Sequence, residues 1–381
     1  MKKLIVLVLA ACMLLGLAAC GGAPVEQPVE ESSAAPEATP KAETQTEIEM
    51  GEMEDVVVGG QKEGAIYNFA IVYGGVHPFF DPWAFGAQAA AIDLGIPIPN
   101  VTSPQAWDQT EQNAIIDGIV AGGVNGIGMF TSDAVAGNEK ISELVDMGIP
   151  VVTMGGSPAT PSKASFCYAT DVGASVAFAT QAIIDELKAQ GKTEGKLLHL
   201  CSALGDTNTQ KRQAAIQEVL AKPENAGFTL EWELADTDAT EPAEEAISSM
   251  YASYVDDVDG IVCTGYVNAQ VLAKTMNERG TNDGIVAIGI DDSADVLSAI
   301  ENGYMFGTMT QSSWAMGYVG TYALKLFADG YTMKTDAPFF IDSGYFLLKK
   351  DGLATYADKQ KQMAYDFVST MADTYFDAPA Q

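Results

Sequence analysis

The sequence predicts an α/β protein of two lobes, each a doubly wound parallel sheet, and three observations carry that expectation. The chain has 381 residues, long for one domain, since single cores stop growing near ~250 residues. From Ala65 onward short apolar runs alternate with helical patterns, which is the rhythm of βαβ units. The same order of elements then occurs a second time without repeating in identity.

In chain order, "MKKLIVLVLAACMLLGLAACGG" opens with Lys2 and Lys3 and continues without a charge from Leu4 to Ala19. That run is short of the ~20 residues a permanent spanning helix needs and reads as an export signal covering residues 1–20. Leu17-Ala18-Ala19-Cys20 resembles the bacterial lipobox, which implies a lipidated Cys20, a membrane anchor and an exported protein. Residues 21–64 hold eleven acids, two lysines, four prolines and scarcely an aromatic. They cannot bury enough apolar surface to fold, and they read as a disordered, self-repelling tether.

The first set of elements runs "YNFAIVY", a helix near Asp81–Gly95, "GIPIPNVTS", a helix over "DQTEQNAIIDGIVAGG", "GIGMFT", a helix over "AVAGNEKISELVDMG" and "IPVVTMG". Ile141, Leu144 and Val145 share one face by helical spacing, as a cover for a sheet should. After "SFCYATD" the second set opens with a helix at Val172–Gln190 and passes through "KLLHLCSA", "FTLEWELA", "GIVCTGY" and "IVAIGID" with helices between. Gly148, Gly191, Gly280 and Gly303 stand where helix C-caps belong. Residues 313–330 read as the last helix of the first lobe, with Trp314 either a cleft or a packing residue. The tail 351–381 carries Tyr356, Met363, Phe367, Met371 and Phe376 at near-helical spacing and reads as an extra helix on a lobe.

Charge and thiols exclude several functions. With 51 acidic against 20 basic residues the net charge is −31, a surface that phosphate backbones repel, so nucleic acid is not a partner. Cys167, Cys201 and Cys263 lie in apolar strand-like runs without a CxxC and read as buried free thiols. His199 and Cys201 share a strand face, but two ligands make no metal site, and none is expected. Gly191-Lys192-Thr193 imitates the end of a phosphate loop, yet Glu186 stands where its first glycine belongs. Gly126 and Gly128 lack the third glycine of a dinucleotide fingerprint, so no cofactor is implied. Asp291 and Asp292 are neighbours at a strand end and should face opposite sides, a poor acid/base pair. With His77 lacking a visible partner, the chain reads as a binding protein and not an enzyme.

In open parallel sheets ligands bind beyond the carboxyl ends of the strands. The first such loop is "GGVHPFFDPW", residues 74–83. Pro78 suits a helix start, and Phe79, Phe80 and Trp83 either wall a cleft, with His77 or Asp81 supplying hydrogen bonds, or fill ordinary core.

"HPFF" after a strand, "GIPVVT", "GIVCTG", "VAIGIDDS" and "GTMTQ", in that order over residues 65–348, resemble the ribose/galactose group of type I periplasmic binding proteins, which feed ABC transporters. The resemblance implies two lobes joined by three crossovers, near Ala169–Asp171, Gln311–Ser313 and Asp342. It divides the chain into a first lobe of 65–169 and 314–341 and a second of 170–311 and 343–350. It implies ligand contacts from Tyr73, His77, Phe79, Phe80, Asp291 and Gln311, capture of a small neutral sugar or polyol by hinge closure, and delivery to a permease by a monomer.

Several positions depart from that pattern. Gly155 and Gly156 replace a usual Asp-Arg pair, Gly265 and Tyr266 an Asn-Asp pair, and Thr237 an aromatic. The expected arginine falls on Gln210 unless a two-residue shift brings in Arg212. These changes remove bidentate hydroxyl grips, so a nucleoside or autoinducer-like signalling molecule, or a role in a chemoreceptor or sensor system, stands as the alternative.

Overall fold

The computed structural model describes residues 61–379. The predicted signal, Cys20 and nearly all of the predicted tether lie outside them. Packed contacts begin slightly before Ala65, with the Lys62 backbone N–H donating to the Tyr67 hydroxyl at 2.7 Å.

The elements are β1 (Phe69–Val72), α1 (Asp81–Leu94), β2 (Asn100–Thr102), α2 (Gln109–Ala121), β3 (Gly126–Met129), α3 (Ala134–Asp146), β4 (Val151–Met154) and β5 (Phe166–Ala169). Next come α4 (Val172–Ala189), β6 (Gly195–Leu200), α5 (Thr207–Leu220), β7 (Phe228–Leu234), α6 (Thr240–Ser253), β8 (Gly260–Cys263), α7 (Tyr266–Arg279), β9 (Val286–Ile290), α8 (Ala294–Asn302) and β10 (Gly307–Gln311). The chain ends with α9 (Ser313–Ala328), β11 (Thr332–Met333), β12 (Phe340–Asp342), β13 (Tyr345–Leu348), α10 (Tyr356–Tyr375) and β14 (Phe376–Asp377).

Two six-stranded sheets result, ordered β12-β5-β4-β3-β1-β2 and β13-β10-β9-β8-β6-β7. All neighbours are parallel except β10 and β13, which run antiparallel. The two sheets define a first and a second lobe of α/β architecture. The central strands β1, β3, β4, β8 and β9 are buried along their whole length, which explains why they read as continuous apolar runs and not as alternation. Strand order reverses beside β1 in the first sheet and beside β6 in the second, so the loops after these strands open at the switch points where such sheets take ligands.

The chain passes between the sheets after β5, after β10 and after β12. These passages are stitched together: Thr170 Oγ1 and Ser343 Oγ lie 2.9 Å apart, and the Asp171 N–H donates to Asp342 Oδ1 at 2.9 Å. Helices α1 and α9 cover the first sheet and meet through glycine. A Cβ on Gly86 would stand 1.9 Å from the Trp314 carbonyl oxygen, and one on Gly317 would stand 2.0 Å from that of Trp83. No other residue permits this approach, and the approach seals Trp83 completely.

Candidate functional site

The site is built where the strands of both sheets end. The loop after β1 forms a 3-10 turn at Pro78–Phe80, started by proline and capped by His77, whose Nδ1 accepts the Phe79 N–H at 3.2 Å. That bond leaves the proton of the neutral ring on Nε2. Nε2 points across to the second lobe, 3.7 Å from Asp238 Oδ2. His77 thus has a partner the sequence did not reveal.

Behind this turn stands an aromatic cluster. Tyr73 stacks on Phe80 with centroids 4.9 Å apart, and Trp83 packs edge-on to Phe80 at 5.1 Å. Phe130, after β3, and Trp107, after β2, close on Phe80 at 5.4 and 5.9 Å. Phe80 and Trp83 are buried, Phe79 is half-buried, Asp81 is exposed, and Trp107 is 50% exposed. The cluster is therefore graded, with core rings at its base and Phe79 and Trp107 at its open side. The buried Gln112 amide ties the loops from beneath by donating to the Tyr73 and Phe130 carbonyls, each at 2.7 Å. Gly155, at φ +72°, turns the chain after β4 where a Cβ would meet Trp83 at 2.9 Å.

The second lobe presents charge. Arg212, on the first turns of α5, is buried among Asp206, Asp238 and Asp291, and its Nε has no hydrogen-bond partner among the described residues. Gln210 is exposed and turned to the Leu204 carbonyl, so Arg212 is the residue of the two that reaches the interior. Asp238, after β7, accepts from Ser202 Oγ and the Val267 N–H, both at 2.9 Å. Burial works to raise its pKa, but His77, Val267 and Ser202 outweigh it and hold the carboxyl below its ordinary value. Gly265 is required here, because a Cβ would fall 2.6 Å from the Asp238 carboxyl carbon.

Asp291 sits just beyond β9 at φ 62°, and Gln311 Nε2 donates to its Oδ1 at 3.1 Å. Burial, with help from Asp292, pushes its pKa up to about 7. Asp291 stands just beyond the end of β9, so strand alternation no longer governs it. Tyr266, half-buried at the start of α7, lies edge-on to His77 at 6.1 Å. Trp314 stacks on Tyr318 at 4.9 Å and belongs to packing behind the first sheet.

The walls approach each other through His77 and Asp238, and again where Asn208 Nδ2 donates to the Gly155 carbonyl at 3.5 Å. Beside that contact a cavity of about 210 Å³ lies between Gly156, Ser157, Asn208, Lys211 and Phe340, with material from both lobes. A larger groove of about 340 Å³ at β2 and α2 contains no titratable side chain and lies away from the residues above.

The sequence reading missed Trp107, Phe130, Asn208 and Asp238. The rule that located "HPFF", inspection of residues just beyond strands, also reaches Phe130 and Asp238, which follow "GIGM" and "FTLEWEL".

His199, Cys201 and Glu233 place their ligand atoms within 4.8 Å of one another. Both imidazole nitrogens are already engaged, Nδ1 with Glu233 Oε2 at 3.1 Å and Nε2 with Thr264 Oγ1 at 2.8 Å. Burial pushes the Cys201 thiol up to about 12. A protonated thiol and a fully bonded imidazole suit a hydrogen-bonded core better than a metal.

Solved structures with the same fold include an ABC transporter solute-binding protein from Burkholderia graminis in complex with D-arabinose. It is 22% identical with a TM-score of 0.68, over 78% of this chain and 99% of that one. A sugar-binding protein of a sugar ABC transporter from Bacillus halodurans is 19% identical with a TM-score of 0.65, over 76% and 99%. An arabinose-binding protein from Geobacillus stearothermophilus is 21% identical with a TM-score of 0.62, over 76% and 98%. No curated protein matches the chain in sequence. Residues 69–332, more than half of the chain, match the periplasmic binding protein domain, and the protein belongs to that family of binding proteins, not to the enzymes.

Proposed function

We propose that this protein captures a small neutral sugar or polyol between its lobes and delivers it to the permease of an ABC importer. The observation that carries the reading is the pairing of walls. Half-exposed aromatic rings suit the C–H face of a sugar, and they stand opposite a buried arginine and two carboxylates. Hydroxyls both donate and accept, so a polyol answers an acid-and-base wall without bringing net charge. The D-arabinose complex and the arabinose-binding protein of the same fold support the same class.

On this reading Tyr73, His77, Phe79, Asp238, Tyr266, Asp291, Gln311 and Arg212 touch or frame the ligand, and Phe80 and Trp83 support Phe79 from below. The lobes are residues 65–169 with 314–341 and 170–311 with 343–350, hinged at the three passages. Cys20 carries the lipid anchor, residues 21–64 tether the folded part outside the membrane, and the protein works as a monomer.

Thermal unfolding against neutral pentoses, hexoses, polyols and nucleosides tests the ligand class. Specific binding at a hundredfold excess over Kd stabilises by about 2.7 kcal/mol and should raise Tm by a few degrees. One responsive sugar, silent in Phe79→Ala, is the expected result. A response to nucleosides alone would replace the sugar reading with a nucleoside receptor.

A further inference from the structure

The C-terminal segment makes a fourth passage between the lobes, beyond the family-matched span of residues 69–332. Its start is held on the second lobe. Lys349 Nζ lies 3.8 Å from the Phe306 ring centroid, Lys350 Nζ donates to the Glu301 carbonyl at 2.6 Å, and Leu353 packs on the second-lobe core. The first turns of α10 keep that grip, as Tyr356 lies within electrostatic reach of Asp292 and Lys359 Nζ sits 3.9 Å from the Phe346 centroid.

The rest of α10 belongs to the first lobe. Ala364, Val368 and Met371 are fully buried in its core, Phe367 meets Tyr168 at 4.9 Å, and Tyr365 meets Tyr318 at 5.3 Å. Strand β14 then pairs with β11. Between these two grips the helix lies over the hinge. Gln360 Nε2 donates to the Gln311 carbonyl at 3.1 Å, and Met363 covers Gly344.

We propose that α10 is a brace across the hinge that resists separation of the lobes, with Lys359 on the Phe346 ring and Gln360 on the Gln311 carbonyl as its foot. The helix cannot follow both lobes in a hinge motion. Opening must break either its contacts with the second lobe or its seat in the first-lobe core, and the polar and cation–π foot is the weaker of the two.

The test is small-angle X-ray scattering of the purified protein without any sugar, so a failure of the ligand reading does not touch it. The variant Tyr356→Phe/Lys359→Ala/Gln360→Ala removes the foot and leaves the buried residues of α10 in place. Its radius of gyration should exceed that of wild type, and Lys361→Ala, whose ammonium lies by Trp314 on the first lobe, should match wild type. Identical radii for wild type and the triple variant would overturn the brace. So would equal expansion in Lys361→Ala, which would mark general loosening of the helix.

Discussion

In the proposed ligand site the wall on the first lobe takes Tyr73, Phe79, Phe80 and Trp83 from one continuous stretch, whereas the wall on the second lobe collects Arg212, Asp238, Asp291 and Gln311 from separate strands and helices. The first is apolar, and its energy lies in packing, since ring stacks on ring down to the sealed Trp83. The second is charged, and its Arg212 and Asp238 stand in the field of oppositely charged neighbours. One wall should therefore tolerate the loss of an outer member, while the other should fail as a unit.

The largest expected effect is on the charged wall. Arg212→Met keeps most of the side-chain volume but strands Asp206, Asp238 and Asp291 near one another without their cation. Removing one partner of a buried charge group costs about 3–5 kcal/mol, and urea denaturation at neutral pH should show a loss of that size. Phe79→Ala, on the half-buried rim of the aromatic wall, should lose clearly less stability while abolishing the ligand response. Equal losses in the two variants would erase the contrast between the walls.

A middle-sized effect sharpens it. Asp291 titrates near 7 in the folded protein against an unfolded value near ~3.9. Its folded pKa is raised, so the stability it contributes is complete below the unfolded value and is lost as pH rises through about 7. Asp291→Asn cannot ionise and should gain on wild type across that window, by up to about 1.4 kcal/mol per pH unit, with no further change above it. Denaturation curves from pH 4 to 8 read the difference directly. A difference independent of pH would show that Asp291 stays ionised throughout.

The same contrast explains what was legible in the sequence. The part of the aromatic wall on residues 73–83 is local, so "HPFFDPW" behind an apolar run displays its rings and its turn, whereas Trp107 and Phe130 come from later loops. The sheets were legible because buried parallel strands are unbroken apolar runs between capped helices. The charged wall is not local: Asp238 is brought to His77 only by the meeting of two lobes, and nothing near position 77 announces it. Arg212 and Gln210 are two residues apart on one helix, and only the orientation of α5 decides which is buried. The contact of Gly86 with Trp314 depends likewise on two helices far apart in the chain.

The smallest expected effect tests the point where the walls touch. His77 and Asp238 are 15% and 24% exposed along their side chains, so water screens them and the pair is worth about 0.5–1 kcal/mol. His77→Gln keeps a polar group of similar reach but removes the ring. Asp238 has a depressed folded pKa, so its stabilisation is present above the ordinary carboxylate range and lost as pH falls through the depressed value. Without His77 that pKa moves up, and acid loss of stability should begin at a higher pH than in wild type. Ser202 and Val267 still hold the carboxylate, so the shift should be small beside the Arg212→Met loss. A His77→Gln protein as damaged as Arg212→Met would mean that the contact between the lobes, and not the charge cluster within the second one, sustains the charged wall.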